Sequence, residues 1–463
     1  MIVMKFGGTS TQDAAAMKNV AAIVKQRLPL KPVVVISAIA QGTNLLERSG
    51  KAAADGKPED ARSLVKQLLD RHYAIIESNL SQSSRKNELR EFVSRANTEL
   101  DELIKGVSIL RELTPRSLDA FYCYGELLSS RLIAACLCEA GIQAEWVDAK
   151  TFMRTDSAFN AAVPVMEVVR EKLRAIVTAG IDRGITYVTQ GFIGATENGI
   201  RTTMGRESSD YSAAVIGAAL DVSDVQIWTD VDGVLTADPR TVASPRKVKE
   251  MSFQEAYELS FFGAKVLHPG TMIPAIEKNI PIHVFNSRQP QRSGSLIGTA
   301  KADSRPVVKS VTSRAPVAVV RLAPLKRQSQ YVFWGEVFNT LVAHGVVSRI
   351  VTTSENGIAL ALDDKYVGAD LIRELEQIAL VTVERNQGIV SLVGSNIQRD
   401  PKLLPRIFDA VAGIPASMIS SGASGCSFSI VIHEDEVQNA VRRLHAEFFE
   451  QAIDAEIFEI LDS

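Results

Sequence analysis

Apolar residues recur along this chain in two rhythms, and the changes between them divide it. Residues 2–6 are apolar apart from Lys5, and residues 33–37 form a β-branched run; both read as buried strands. Gly7-Gly8-Thr9-Ser10 and Asp13 separate the first strand from a helical pattern over residues 14–27. From about residue 47 to residue 141 the period is helical throughout. Leu64, Leu68, His72, Ile75 and Ile76 share one stripe, and Leu89, Phe92, Val93, Ala96, Leu100 and Leu103 another. Thr114-Pro115 opens the last helix of this excursion. Strand signals return at 144–147 and at 186–195, where Gln190-Gly191-Phe192-Ile193-Gly194 interrupts the run, and Asn198-Gly199 marks a hairpin turn. A polar stretch from Gly205 to Ser212 enters an alanine-rich helix that ends near Leu220. Residues 225–230 and 280–285 read as strands, and Ser252-Phe253-Gln254-Glu255 is a capping box between them. Strands alternating with helices predict an α/β domain on a mainly parallel open sheet. Residues 289–305 are rich in Pro, Gly, Ser, Lys and Arg, which places the first domain at 1–296 and a linker at 297–311.

Beyond the linker the pattern becomes strand, helix, strand, strand, helix, strand, twice over. The first copy has helical signals at 338–343 and 369–378 and strand signals at 346–353, 358–362 and 380–383. The second reads as strands at 389–393, 414–420, 427–432 and 455–460, with helices at 403–411 and 437–448. One constant offset lays Gly345 on Gly413, Ile350 on Met418, Gly357 on Gly425, and Leu360 and Leu362 on Phe428 and Ile430. Two βαββαβ units at 312–385 and 386–463 form a ferredoxin-like pair.

Composition narrows the class. At 463 residues the chain is too long for one core, and its 46% hydrophobic and 23% charged residues are those of an ordinary globular protein. A net charge of −3 leaves no basic footprint for nucleic acid or membrane. No apolar run approaches the roughly eighteen residues of a membrane span, and no signal-type apolar region opens the chain, so a cytoplasmic location is expected. Cys123, Cys136, Cys138 and Cys426 form no disulfide framework or metal spacing, so any divalent metal is expected on oxygen ligands, which remain unassigned.

The candidate chemistry lies where predicted strands end. Lys5 directly precedes Gly7-Gly8 at the ligand-facing end of a strand, where backbone N–H groups and a mobile ammonium can meet an anion. The pattern is neither a Walker A loop nor G-x-G-x-x-G. Glu126 stands among Leu127, Leu128, Leu132 and Ile133, so it needs a cationic partner, either an internal ion pair or a substrate ammonium. Arg206 is suited to a bidentate carboxylate grip. Lys265, flanked by apolar residues in Phe262-Gly263-Ala264-Lys265-Val266, either snorkels or reaches a ligand.

Taken together, Lys5-Phe6-Gly7-Gly8-Thr9-Ser10, Gly205-Arg206 with Ser209-Asp210, Trp228-Thr229-Asp230 and Phe262-Gly263-Ala264-Lys265 resemble the aspartate kinases (aspartokinases) of the amino acid kinase family. The resemblance covers the whole chain and is nearest to the monofunctional, lysine-sensitive type with tandem ACT domains, without a homoserine dehydrogenase segment. It implies a three-layer αβα sandwich of the amino acid kinase fold followed by two ACT domains. It also implies transfer of the γ-phosphoryl of ATP, with Mg²⁺, to the β-carboxylate of L-aspartate. The product would be 4-phospho-L-aspartate, on the route to lysine, threonine and methionine. By the same resemblance Lys5, Gly7 and Gly8 hold the transferring phosphate and Asp210 orients Lys5. Thr43, Glu126, Phe192, Arg206 and Ser209 form the aspartate pocket, with Glu126 on the α-ammonium and Arg206 on the α-carboxylate. Ser10, Thr229, Asp230, Leu235, Arg240 and Lys265 join Lys5, Gly7 and Gly8 in the nucleotide site. Phe333, Val347, Arg349, Thr353, Ser354 and Glu355 match an effector pocket. A homodimer or dimer of dimers through the ACT domains is expected.

Four positions depart from the family pattern. Glu207 and Ser208 replace two glycines in the Arg206 loop, and Leu235 replaces a frequent tyrosine. Arg349 stands where the lysine-sensitive type has an aspartate, so lysine inhibition is expected to be weak, absent or replaced by another effector. An acetylglutamate-type kinase has no use for Glu126 against a free ammonium, and a non-catalytic amino-acid sensor has no use for Lys5, Arg206, Asp210 and Lys265.

Overall fold

The computed structural model describes residues 1–205, 208–264, 269–299, 307–450 and 454–460. The chain forms two compact units, residues 1–233 with 270–299, and residues 234–269 with 300–463.

The first unit is built on the strands β1 (Ile2–Phe6), β2 (Pro32–Ile36), β3 (Ala144–Trp146), β4 (Thr186–Gln190), β7 (Asp224–Thr229), β8 (Ile282–Asn286) and β9 (Ser295–Gly298), with a hairpin of β5 (Ile193–Ala195) and β6 (Arg201–Thr203) beside them. Their order is β9-β8-β7-β1-β2-β4-β3. All neighbours are parallel except β9, which runs antiparallel to β8. The sequence expectation put the domain's end near residue 296 and no strand after 285; β9 is the difference. Its Pro/Gly/Ser surroundings read as linker, because turn-forming residues close by hide a strand of four residues.

The helices are α1 (Ala14–Arg27), α2 (Gly42–Ala54), α3 (Pro58–Asn79), α4 (Ser83–Leu110), α5 (Pro115–Glu139), α6 (Met166–Ile181) and α7 (Ser209–Leu220). Alternation along β1 sorts them into layers. Ile2, Met4 and Phe6 share a core with α1 and the helical excursion. Val3 faces α7, where Gly217 lacks a Cβ that would lie 2.7 Å from Val225. His72, on the stripe of α3, is buried, as its apolar company predicts. Because β1, β2, β4 and β7 are parallel and in register, Phe6, Ile36, Gln190 and Trp228 lie side by side. The loops that follow them therefore emerge along one edge, where open α/β sheets bind ligands.

The second unit centres on one six-stranded sheet: β10 (Val307–Pro324), β11 (Ser348–Ser354), β12 (Gly357–Asp363), β13 (Ala379–Ser395), β14 (Ala416–Ser421) and β15 (Ser427–His433), in the order β11-β12-β10-β13-β15-β14. Among its helices are α8 (Phe253–Phe261), α9 (Gln330–Ala343), α10 (Ala369–Leu375), α11 (Leu403–Ala410) and α12 (Val437–His445). The two βαββαβ units exist, but they are interleaved, which corrects the expected boundaries. β10 starts inside the expected linker, and β13 runs through the expected join at 385/386. Val317–Leu322 of β10 pairs with β12, whereas residues 307–314 pair with residues 389–395 of β13. The second unit thus takes its fourth strand from upstream. The strand expected at 455–460 is only Phe458–Glu459, and it pairs with Lys247–Val248 instead. Residue pattern marks a segment as a strand but does not name its partner.

One face of this sheet packs Ala318, Val320 and Leu322 against Phe333 and Val337 of α9. The opposite face buries Val317, Val319, Ile350, Met418 and Val431 around Phe262. Among the described residues no helix is long and apolar enough to cross a membrane, and no cluster of three or more His, Cys, Asp or Glu is arranged to hold a metal ion.

Candidate active site

Lys5 is the penultimate residue of β1, and its side chain is buried to all but 11%. Its Nζ lies 2.6 Å from Oδ1 of Asp210, a close ion pair in the first turn of α7. A carboxylate there is favourably placed against the positive end of the helix dipole. The glycines after Lys5 behave differently from one another. Gly7 N–H donates to the Trp228 carbonyl at 3.0 Å, so it ties two strand ends together. A Cβ on Gly8 would meet the Ala38 carbonyl at 2.9 Å, so only glycine lets these two loops touch. Gly8–Thr11 is a short 3₁₀ turn, and α1 starts only at Ala14, capped by Asp13 through Ala16 N–H. The glycine turn therefore does not open α1 directly. Ser10 is buried, with its Oγ 2.7 Å from Ser287 Oγ and 3.3 Å from the Trp228 carbonyl. Its hydroxyl braces the strand ends.

The loop after β2 meets α5 closely. A Cβ on Gly125 would lie 2.8 Å from that of Ala38. This approach lets Ser129 Oγ donate to the Ser37 carbonyl at 2.7 Å and Ala38 N–H donate to Glu126 Oε1 at 3.1 Å. Glu126 is 3% exposed, and its Oε2 is buried with no partner. Burial pushes its carboxyl up to about 8, opposed by the Ala38 hydrogen bond and the positive charge of Lys5. Among the described residues Glu126 forms no internal ion pair; one oxygen is held and the other has no donor. Thr43 follows nearby in the chain, in the first turn of α2.

β4 ends at Gln190, and Gly191 then passes 2.7 Å (measured from an added Cβ) from Ser209 Cβ at the start of α7. Phe192 adopts a left-handed backbone with φ 67°, a costly state for an aromatic residue. Three contacts hold it there. Its N–H donates to Ser212 Oγ at 2.7 Å, its carbonyl accepts from Met204 N–H at 3.0 Å, and its ring meets Tyr122 edge-on at 5.8 Å. Ser212 was not among the expected site residues; its position three after Ser209, on the same helix face, is the signal that could have found it. Ser287 was missed as well, since nothing local distinguishes a serine after a strand. Ser208 occupies the N-cap of α7 without a side-chain capping bond.

Thr229 ends β7. Its carbonyl accepts from Ser287 N–H at 2.7 Å and Ser287 Oγ at 2.9 Å, and its hydroxyl donates to Asp230 Oδ1 at 3.3 Å. Asp230 is exposed. The first unit thus brings Lys5, Gly8, Glu126, Phe192, Ser209, Asp210 and Thr229 to its strand ends. Arg206, Glu207, Lys265 and His268 lie outside the described residues.

Within the second unit, Leu235 is half-buried and its carbonyl accepts from Ser310 Oγ at 2.8 Å. Arg240 is exposed and grips Asp238 through Nε at 3.0 and 3.2 Å. The expected effector residues differ in burial. Phe333 is buried in the core on one face of the sheet. Arg349 works on the other face, because the register slips between Ser348 and Ile350 and the extra residue turns with Ile350. Its Nη2 is 3.1 Å from Asp363 Oδ2, its Nη1 donates to the Phe261 carbonyl at 3.4 Å, and its guanidinium lies 4.7 Å from the Phe261 ring centre. Burial raises the Asp363 carboxyl, but Arg314 and Arg349 outweigh it and hold it below its ordinary value. Arg349 thus shares Asp363 with Arg314 and stacks on Phe261. Val347, Thr353, Ser354 and Glu355 are exposed.

Known proteins resemble this chain over nearly its whole length. The amino acid kinase family profile matches residues 1–286, and an ACT domain profile matches residues 390–448. Lysine-sensitive aspartokinase 3 of Escherichia coli is 32% identical over 97% of this chain and 99% of its own. Chloroplastic aspartokinase 3 of Arabidopsis thaliana is 36% identical over 97% of this chain and 81% of its own. The crystal structure of E. coli aspartokinase III in complex with aspartate and ADP (R-state) superposes with a TM-score of 0.86, at 32% identity, over 97% of this chain and all of that one. The complex of the same enzyme with lysine and aspartate (T-state) gives 0.78. Likeness at this level over both units places the chain in the amino acid kinase family, among the aspartokinases.

Proposed function

We propose that the chain transfers the γ-phosphoryl of MgATP to the β-carboxylate of L-aspartate, releasing ADP and 4-phospho-L-aspartate. A β-carboxylate oxygen forms the new bond to the γ-phosphorus while the bond from that phosphorus to the β,γ-bridging oxygen breaks. The nucleophile is already ionised at neutral pH, so the reaction needs positioning and charge neutralisation and no general base. Lys5, oriented by Asp210, neutralises the transferring phosphoryl, and the Gly8 turn leaves room for it. Glu126 takes the α-ammonium, Arg206 the α-carboxylate, and Thr43, Phe192 and Ser209 the remaining walls. Thr229, Asp230, Leu235, Arg240 and Lys265 serve the nucleotide, with Ser10 and Gly7 bracing its turn. Mg²⁺ arrives with ATP, and no protein ligand is assigned to it.

The observation that carries this reading is the buried, unpartnered Oε2 of Glu126 on the element next to the Lys5–Asp210 pair. A carboxylate held so is a receptor for an ammonium, and it separates aspartate from an N-acetylated acceptor. Coupled ADP release with L-aspartate, with N-acetylglutamate and with no acceptor tests it: turnover is expected with aspartate alone. Turnover with N-acetylglutamate, or with neither, overturns it.

We also infer an ACT-mediated homodimer or dimer of dimers that answers an amino-acid effector. Exposed Tyr331, Val332 and Val342 on α9 and exposed Val347 beside edge strand β11 support association there. Light scattering with and without lysine, threonine or methionine, beside the same kinase assay, tests both parts.

A further inference from the structure

Helix α5 carries more than Glu126 toward the site. Asp119, Tyr122 and Glu126 fall on one stripe of the helix, three and four residues apart. Tyr122 meets the Phe192 ring, and Glu126 meets Ala38. Asp119 is fully buried and, among the described residues, pairs with no cation. Its Oδ2 accepts from Asn160 N–H at 3.0 Å and from Thr203 N–H at 2.9 Å, and its Oδ1 accepts from Thr203 Oγ1.

These bonds lead back to the aspartate pocket. Thr203 ends β6, and its carbonyl accepts from Ala162 N–H at 3.0 Å, so the loop carrying Asn160 is stitched to the same strand. The next residue, Met204, donates its N–H to the carbonyl of Phe192. Asn160 itself holds a left-handed backbone, φ 66°. Asp119 is thus the common acceptor for a strand end and a loop that would otherwise bury two unsatisfied N–H groups. A structural carboxylate in a surface cap could be spared; one that fixes the backbone partner of Phe192 from the helix of Glu126 cannot move without shifting the pocket.

We propose that Asp119 is a positioning residue for the aspartate site: through Thr203 and Met204 it fixes Phe192 at a set distance from Glu126. It touches no substrate. The inference rests on the reading of Glu126, Phe192 and their neighbours as the aspartate pocket.

The test uses the purified full chain and four variants. Asp119→Ala is expected to raise the aspartate KM about tenfold while kcat and the ATP KM stay within about twofold, since misplacement acts on the acceptor alone. Asp119→Asn keeps one oxygen for both N–H groups and an amide for the Thr203 hydroxyl, so its aspartate KM should return to within about threefold of the parent. Burial, which pushes the Asp119 carboxyl upward, makes a neutral isostere acceptable there. A folded Asp119→Ala protein with an unchanged aspartate KM overturns the proposal, as does a fall in kcat with both KM values unchanged. If Asp119→Ala does not fold, Thr203→Val decides, with an expected rise of about threefold in aspartate KM from losing one bond; no rise overturns the proposal. Glu126→Gln is measured alongside. If it too leaves the aspartate KM unmoved, the pocket assignment itself fails; if it alone raises that KM, only the positioning role fails.

Discussion

Replacing Glu126 by glutamine changes one oxygen into an amide and removes a titration. In the ligand-free fold the Glu126 carboxyl is pushed from 4.5 to about 8 by burial. At pH 7 roughly nine in ten molecules therefore hold it neutral. An ammonium binds the ionised form, so at pH 7 binding must first expel a proton at a cost of about 1.4 kcal/mol, or tenfold in affinity. Aspartate affinity should accordingly rise close to tenfold between pH 6 and pH 7 and level off above about pH 8, because the other groups of aspartate do not titrate there. In Glu126→Gln that slope should vanish, and affinity should fall by on the order of 10–10² from loss of a charge-assisted hydrogen bond. Stability moves the other way. The folded state keeps a proton that the unfolded chain releases near pH 4.5, so this group costs the fold stability progressively as pH rises from about 4.5 to about 8. The full difference corresponds to roughly 5 kcal/mol as an upper figure. Glu126→Gln should thus melt higher than the parent, with a gap that widens toward pH 8. Isothermal titration with aspartate at pH 6, 7 and 8, and thermal melts at the same values, measure both effects. A parent protein with flat aspartate affinity over that range, or a variant with the same slope, would refute the reasoning.

Other perturbations probe other parts. Lys5→Ala should lower kcat by on the order of 10²–10³ while far-ultraviolet circular dichroism stays native, because the lost charge acts on the transferring phosphoryl; an unchanged turnover number contradicts the role of Lys5. His72 is buried, its Nδ1 lies 2.8 Å from the Leu68 carbonyl, its Nε2 has no partner, and burial lowers it from 6.5 to about 4. The unfolded chain takes up a proton below about pH 6.5 that the fold refuses until about pH 4, so stability is lost as pH falls through this window. His72→Leu should flatten that acid-side loss, by roughly 2 kcal/mol in urea unfolding at pH 5 against pH 7.5. Arg349→Ala removes the stack on Phe261 and one of two guanidiniums on Asp363; with Arg314 still in place, the cost should be about 1–2 kcal/mol, read as a lower urea midpoint. A loss of 4 kcal/mol or more would mean that Arg314 cannot hold Asp363 alone.

Much of the local structure was legible because its signals are local. The helix at Ala14–Arg27 with its Asp13 cap, the capping box at Ser252, the hairpin at Asn198-Gly199 and the helical excursion each depend on neighbours within a few residues. The site was legible in part for the same reason: a lysine before two glycines, or a glutamate in apolar company, announces unusual chemistry in its own stretch. What Ser10, Gly7, Ser212 and Asp119 do was not, because each acts on a residue remote in the chain, such as Ser287, Trp228, Phe192 or Thr203.

The order of apolar and polar residues by itself determined most of the strands and helices and that the tail repeats, since periodicity and turn chemistry are properties of short windows. Only the tertiary structure decided who pairs with whom. It placed residues 307–314 in the second ferredoxin-like unit and the chain's last strand elsewhere. It also turned Arg349 onto Phe261 through a single slipped residue and left one oxygen of Glu126 buried and unmatched. Pairing, facing and burial are set by long-range packing, where a one-residue slip reverses a side chain and a missing Cβ admits a neighbouring backbone.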